Sequence, residues 1–448
     1  MTTLCARGGI PSRILKHPVS PQASSNAPKD FDSQPSPAWV LLGLALLAVF
    51  AYLPAITQPL LEDDYPNISQ AATWGARSGW PLLWSNPALR FRLTSYWLIF
   101  LLHQFFGMNP AAYHSISIFL HVLNTWLVYA AGWWSPLSRR VSAWAAAFFA
   151  VYEGHQEAVM WFSACNELLL FLFCATSFLC LVRFLQGRRG FAWYAISFFA
   201  FSLALLSKES SAVFVVLLML PLVFPEARWR NVVYWLPYAA LATAGAISII
   251  QARGNSFRFQ DGSFSLHAPF WLTLPGSLLR LLWFWGLLSV GLVLARGAKH
   301  MRQIVYIGLI WMLVAMVPYS FLLYSTRIPS RQTYLASTGL AFVFGAAVVV
   351  WLRQRVHPAL SMALFAVILS HNIGYLWIKK RAQFLERAEP TEKLIALARK
   401  TKGPIYVECF PRPRIIAEEA LHLTTGNEVI WDASLAKRAK ATFCYAEK

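Results

Sequence analysis

The chain has 448 residues, 57% of them hydrophobic and 13% charged, with a mean hydropathy of +0.48. Apolar runs near the ~20 residues that cross a hydrocarbon core recur along most of its length, which excludes a soluble globular protein; the ~10-residue alternating segments of a membrane barrel are absent. The formal charge of +19, from 39 Lys and Arg against 20 Asp and Glu, lies in small basic clusters between apolar runs, so membrane topology accounts for it without nucleic acid.

Residues 1–37 read as a flexible cytoplasmic arm carrying Arg7, Arg13, Lys16 and Lys29. They are not a signal peptide, because the apolar segment after them (about Trp39 to Ile56) is long enough to remain as an anchor. That first span delivers Leu61-Glu62-Asp63-Asp64-Tyr65 to the outer face, three consecutive acids in a chain poor in them. The next apolar stretch, Leu93–Phe106, is short and flanked by Arg90, Arg92 and Gly107. It either crosses or lies along the outer surface. The flat placement puts Arg139-Arg140 in the cytoplasm after the following span, Ala112–Trp134, and is preferred.

Later spans are then expected near 141–153, 167–185, 191–206, 211–224, 231–250, 270–295, 303–324, 333–351 and 358–378, about eleven in all. The inward connections carry Arg183/Arg188/Arg189, Arg228/Arg230, Arg296/Lys299/Arg302 and Arg353/Arg355. Lys379-Lys380-Arg381 breaks the alternation and is expected outside with the tail. Residues 38–381 thus form a transmembrane domain with an outer loop at 58–111, and 382–448 a small α/β tail. In that tail Pro390–Lys400 and Ile415–Leu423 read as helices, and Ile405–Glu408 and Asn427–Trp431 as strands. The six cysteines show no CxxC pair or metal spacing and are expected to be mostly apolar fillers, with pairing of Cys409 and Cys444 the lesser alternative, open only if the tail is extracytoplasmic.

The outward connections hold the unusual polar residues. After Asp63-Asp64 come His155 and Glu157, then Lys208 and Glu209, then Arg327 and Arg331. Any one of them marks a helix end. Four segments on one face instead point to a paired or wet site, because a charge at bilayer depth costs roughly 2.5–3.5 kcal/mol. His114, Ser117, His121 and Asn124 share one helical face; His121 and Asn124 read as interhelical hydrogen bonders, and His114, nearer the outer end, as a cavity-lining group. There is no phosphate-binding Gly loop, HExxH or nucleophile elbow.

Several segments in order carry a resemblance: the acidic pair after the first span, Phe91-Arg92-Leu93-Thr94, Gly107-Met108-Asn109-Pro110, Tyr113-His114, His121-Val122-Leu123-Asn124, His155-Gln156-Glu157-Ala158-Val159, Leu206-Ser207-Lys208-Glu209 and Ser330-Arg331-Gln332-Thr333-Tyr334-Leu335. Over roughly 39–350 the chain resembles the GT-C membrane glycosyltransferases, in particular the transmembrane and tetratricopeptide-repeat O-mannosyltransferases and their bacterial relatives. It departs from them at Arg92-Leu93-Thr94, Tyr152-Glu153, Ser117 and Cys165-Asn166-Glu167, and no repeat array comes after the membrane region.

The resemblance implies an all-α polytopic GT-C-like fold in an inner membrane, with the site facing the periplasm. It implies a polyprenyl-phosphate-linked sugar donor and a protein, lipid or glycan hydroxyl as acceptor. Asp63, or as second choice Asp64, would act as general base. Lys208, Arg327 and Arg331 would bind the donor phosphate, and Arg92, His114, His155, Glu157 and Glu209 would position substrate. A divalent metal is compatible with these carboxylates and histidines, and nothing in their spacing requires one. The competing functions are a lipid or glycan transporter, expected to carry polar groups on both faces, and a non-catalytic assembly protein working through its tail.

Overall fold

The computed structural model describes residues 36–75, 81, 90–187, 190–224, 229–251, 264–323, 326–354 and 356–446. Most of the expected N-terminal arm lies outside the described residues, as do parts of the outer loop and Arg188, Arg189, Arg228 and Arg355.

Among the described residues, six helices are long and apolar enough to cross a membrane: Pro37–Thr57, Pro110–Trp133, Phe162–Leu185, Phe270–Arg296, Lys299–Phe321 and Pro358–Lys400. Shorter apolar helices accompany them at Leu93–Phe106, Phe191–Leu205, Glu209–Val223, Leu236–Gln251 and Ser337–Leu352. The helices needed below are α1 (Pro37–Tyr52), α2 (Asp64–Gly75), α3 (Leu93–Phe106), α4 (Pro110–Ala130), α5 (Arg139–Val151), α6 (Cys165–Leu185), α7 (Phe191–Leu205), α8 (Leu236–Gln251), α9 (Phe270–Arg296), α10 (Lys299–Met316), α11 (Ser337–Leu352), α12 (Pro358–Gly374) and α13 (Arg381–Lys400).

Helix α11 is the centre of the bundle. Every residue from Ser337 to Val350 is buried, as expected of a helix apolar all round. Small residues let its neighbours approach: a Cβ on Gly339 would collide with the Gly308 carbonyl of α10, and one on Gly345 with the Val141 carbonyl of α5. Helix α5, expected as a span at 141–153, has 13 residues and so a length of ~20 Å, short of a ~30 Å hydrocarbon core. It is packed inside the bundle. The expected 211–224 span is likewise broken, into a 3₁₀ turn (Glu209–Val213) and two single-turn helices (Phe214–Leu217 and Leu220–Val223).

The Arg183 guanidinium lies 3.9 Å from the Trp133 ring centroid, and Gln186 donates to the Trp133 carbonyl, so the ends of α4 and α6 meet at one pole. At the other pole α3 packs on α2, with the Tyr96 hydroxyl donating to Gln70 Oε1 at 2.9 Å. The helix thus lies beside the acidic segment.

The C-terminal part differs from expectation in its joint. The last span does not end near 378; α12, a π-helical turn (Tyr375–Lys380) and α13 form one 43-residue helix of about 65 Å. Residues 381–389 are nearly all strong helix formers, so the helix runs through to Pro390 and beyond. Beyond it lie β1 (Ile405–Cys409), α14 (Arg414–Thr424), β2 (Val429–Ile430) and β3 (Ala441–Cys444), a parallel sheet in the order β2-β1-β3. Cys409 and Cys444 form a disulfide across β1 and β3. This lobe does not stand alone: Leu394, Ile395, Ala398, Ile405, Ile416 and Leu421 share a core with Tyr65, Ile68 and Ala71 of α2. The tail therefore sits at the pole of the acidic pair.

Candidate active site

The two aspartates are adjacent in sequence and opposite in environment. Asp64 is fully buried at the start of α2. Its Oδ2 accepts the Leu61 amide at 2.7 Å, and its Oδ1 accepts the Ser163 amide at 2.7 Å and the Ser163 hydroxyl at 2.5 Å. It thus closes its own turn and pins that turn to the segment preceding α6. Asp63, one residue earlier, is exposed.

Burial pushes the Asp64 carboxyl up to about 7, against the pull of its hydrogen bonds from Ser163 and Leu61, with the Asp63 charge adding a small upward push. The native state then holds a proton here that the unfolded chain has already released above its ordinary value of 3.8. The stability contributed by this carboxyl should fall as pH rises from about 4 to about 7 and be constant outside that window, the full effect being on the order of 4 kcal/mol. As pH rises across this range the melting temperature of the wild type should fall relative to that of Asp64→Asn; parallel profiles would refute the assignment.

The second wall comes from the α5–α6 connection. Glu157 accepts the Arg331 amide at 3.2 Å, and Gln156 donates to the Ser330 hydroxyl, so this connection and the 330–333 turn are laced together. Both the Arg331 and the Arg387 guanidinium groups lie over the Trp161 ring, each 4.6 Å from its centroid. The Trp161 indole nitrogen is buried, without a hydrogen-bond partner among the described residues. Arg387 is in turn fixed by Glu62: its Nη2 donates to Glu62 Oε2 at 2.6 Å and its Nε to Oε1 at 3.3 Å. Asp63 and Glu157 are both within electrostatic reach of Arg387.

His155 turns away from this surface. Fully buried, it packs against Phe149 and Tyr334 with ring centroids at 4.4 and 4.5 Å. Its Nε2 donates to the Ser337 hydroxyl at 2.6 Å, a role fixed because that hydroxyl donates to the Tyr334 carbonyl. Burial drives its pKa well down, so the ring is neutral. The expected helix-to-helix bonds of the polar stripe are present: His121 bonds the Tyr334 hydroxyl and the Ala150 carbonyl, and Asn124 donates to the Leu168 carbonyl. His114 is buried beneath the acidic segment, its Nε2 3.4 Å from the Pro59 carbonyl.

A third group flanks the start of α6. Arg92 pairs with Glu209 at 3.1 Å, and Thr94 joins the Leu206 carbonyl through its amide and the Ser207 hydroxyl through its own. Lys208 is buried in an ion pair with Glu167, whose other oxygen accepts the Tyr319 hydroxyl at 3.0 Å. Burial lowers the Lys208 ammonium to about 8 against the raising influence of Glu167. Arg327 is exposed, on the segment that leads into Arg331. Direct bonds thus pair Asp64 with Ser163, Glu157 with the Arg331 amide, Arg92 with Glu209, and Lys208 with Glu167. Sequence reasoning passed over Trp161, Ser163, Tyr319, Arg387 and Arg412. Among the described residues, no group of three or more His, Cys, Asp or Glu could hold a metal ion.

The helical membrane bundle has the GT-C fold seen in several solved structures. Residues 93–250 match the family model described as dolichyl-phosphate-mannose-protein mannosyltransferase. The chain superposes on the Archaeoglobus fulgidus oligosaccharyltransferase in its apo form with a TM-score of 0.53 at 14% identity, covering 89% of this chain and 65% of that one. It superposes on ArnT from Cupriavidus metallidurans bound to undecaprenyl phosphate with a TM-score of 0.52 at 14% identity, covering 91% and 90%. For the arabinofuranosyltransferase AftD from Mycobacteria the TM-score is 0.52 at 17% identity, covering 89% of this chain and 33% of that one. The chain therefore spans less than two thirds of the oligosaccharyltransferase's length. No curated protein sequence gives a match.

Proposed function

We propose that this protein is a membrane glycosyltransferase that moves a sugar, in the manner of the mannosyltransferases, from a polyprenyl-phosphate donor to an acceptor hydroxyl at the extracytoplasmic face. The observation that carries the reading is the division of labour in the acidic pair: Asp64 is buried and pins the turn, and Asp63 is exposed within electrostatic reach of Arg387, whose guanidinium lies over Trp161 with that of Arg331. The ArnT neighbour binds undecaprenyl phosphate, which supports a lipid-phosphate donor. The Cys409–Cys444 disulfide at the pole of the acidic pair supports an oxidising compartment on that side.

In this mechanism Asp63 takes the proton of the acceptor hydroxyl as its oxygen bonds the anomeric carbon. The bond from that carbon to the phosphate oxygen breaks, and its electron pair leaves with the polyprenyl phosphate. A carboxylate beside the anomeric centre also favours the oxocarbenium-like transition state. The negative charge growing on the phosphate calls for a cation, and we assign that role to Arg331, whose guanidinium suits bidentate phosphate contact, with Arg327 in support. Lys208, committed to Glu167, we assign to the fold, and likewise the neutral His155. Glu157 positions Arg331 through its amide, and Arg92, His114 and Glu209 brace the acidic segment and its neighbour from below.

The test is turnover. Purified protein in liposomes containing polyprenyl-phosphate mannose should release free polyprenyl phosphate when a hydroxyl acceptor is supplied. No release with mannose, and none across a panel of other polyprenyl-phosphate sugars and acceptors, would reject the function.

A further inference from the structure

The mechanism asks that an exposed carboxylate be held in one place. We infer that Glu62 is the positioning residue that does this, because the C-terminal lobe grips it through Arg387 and Arg412 and thereby fixes the backbone that presents Asp63. The inference rests on the glycosyltransferase reading for what Asp63 does; the grip itself does not.

Both oxygens of Glu62 are engaged, and its side chain is 14% exposed. Arg387 binds it as a two-toothed fork, at 2.6 and 3.3 Å, from the helix that leaves the last span. Arg412 adds an ion pair at 3.1 Å from the loop between β1 and α14. Glu62 is occupied by two guanidinium groups and Asp63 is exposed, which separates the two carboxylates in role. Its backbone is the second observation: Glu62 has φ 35°, in the left-handed region that non-glycine residues adopt only where their surroundings impose it. The following residue is Asp63, so a side chain fixed at Glu62 sets the path of the carboxylate one peptide away.

The lobe is rigid enough to serve as the anchor. It shares a core with α2, Tyr65 lies 3.4 Å from Glu392 of α13, and the disulfide secures the end of β1 three residues before Arg412. Arg387 also lies over Trp161, so one side chain ties the acidic turn and the opposite wall together.

The experiment uses the full chain in lipid nanodiscs and reads two quantities, hydrogen exchange of the amides at 61–67 and the kinetics of sugar transfer. In Glu62→Gln the Asp64 and Tyr65 amides should exchange about 10-fold faster, with kcat down about 10- to 100-fold and donor KM within about twofold. Arg412→Gln, a milder change at a side chain 31% exposed, should move both in the same direction by less, and Arg412→Lys should restore them. Lys393→Ala, which breaks an exposed pair with Glu389 on the same helix, should change neither. Unchanged exchange in both Glu62→Gln and Arg412→Gln would overturn the grip, whether or not the protein transfers sugar. Faster exchange with unchanged kcat, or a loss confined to KM, would overturn the positioning role. If the wild type transfers no sugar while exchange responds as stated, the glycosyltransferase reading fails and the grip stands.

Discussion

Asp63→Asn should lower sugar transfer by about 10²–10⁴-fold, the usual worth of a general base, while leaving the protein folded. The side chain is exposed, so exchange of one oxygen for an amide should shift stability by no more than about 0.5 kcal/mol. Asp64→Asn should behave differently. An amide at that position can accept from only one of the two backbone donors, Leu61 and Ser163, and presents its own NH₂ to the other. The expected loss is about 1–3 kcal/mol of stability, with a fall in transfer caused by displacement of the turn. Melting temperature and turnover measured on both variants separate the roles: activity loss without destabilisation at 63, and both together at 64. Normal turnover by a folded Asp63→Asn protein would remove the mechanism proposed for it.

That contrast between neighbours is the part of the site the sequence does not disclose. The long apolar helices were legible because a hydrocarbon core demands long apolar runs. The His121–Asn124 stripe was legible because a 3.6-residue period puts both on one face, and Tyr334 and Leu168 then receive their bonds. Whether Asp63 or Asp64 points into the protein depends on where Ser163 arrives, 99 residues later in the chain. Glu62 finds its partner 325 residues away, in a tail that composition marks only as less apolar. Strand β3 escaped notice because its four residues carry little pattern of their own, and the sheet and disulfide define it. Local period and composition encode elements; contacts between distant segments encode the site.

Lys208 is a charge whose apparent role changes once its buried partner is known. An outward-facing lysine near a phosphate site invites a role in binding the donor. The structure gives it Glu167 as a partner, with Tyr319 holding the second oxygen and Ser210 holding Tyr319. Side-chain exposures of 5% and 2% leave neither charge to water. Lys208→Met should therefore strand a buried carboxylate and cost roughly 3–5 kcal/mol, among the larger effects available to a single substitution. If the lysine serves the fold, Glu167→Gln combined with Lys208→Met should recover most of that loss, because a neutral pair of similar volume no longer carries an unpaired charge; it should restore much of the turnover as well. If Lys208 instead binds the donor phosphate, the double variant should regain stability while donor KM stays raised by about tenfold or more. Thermal melts and donor titrations on the single and double variants decide between these outcomes, and a Lys208→Met protein that melts like the wild type would contradict the buried pair itself.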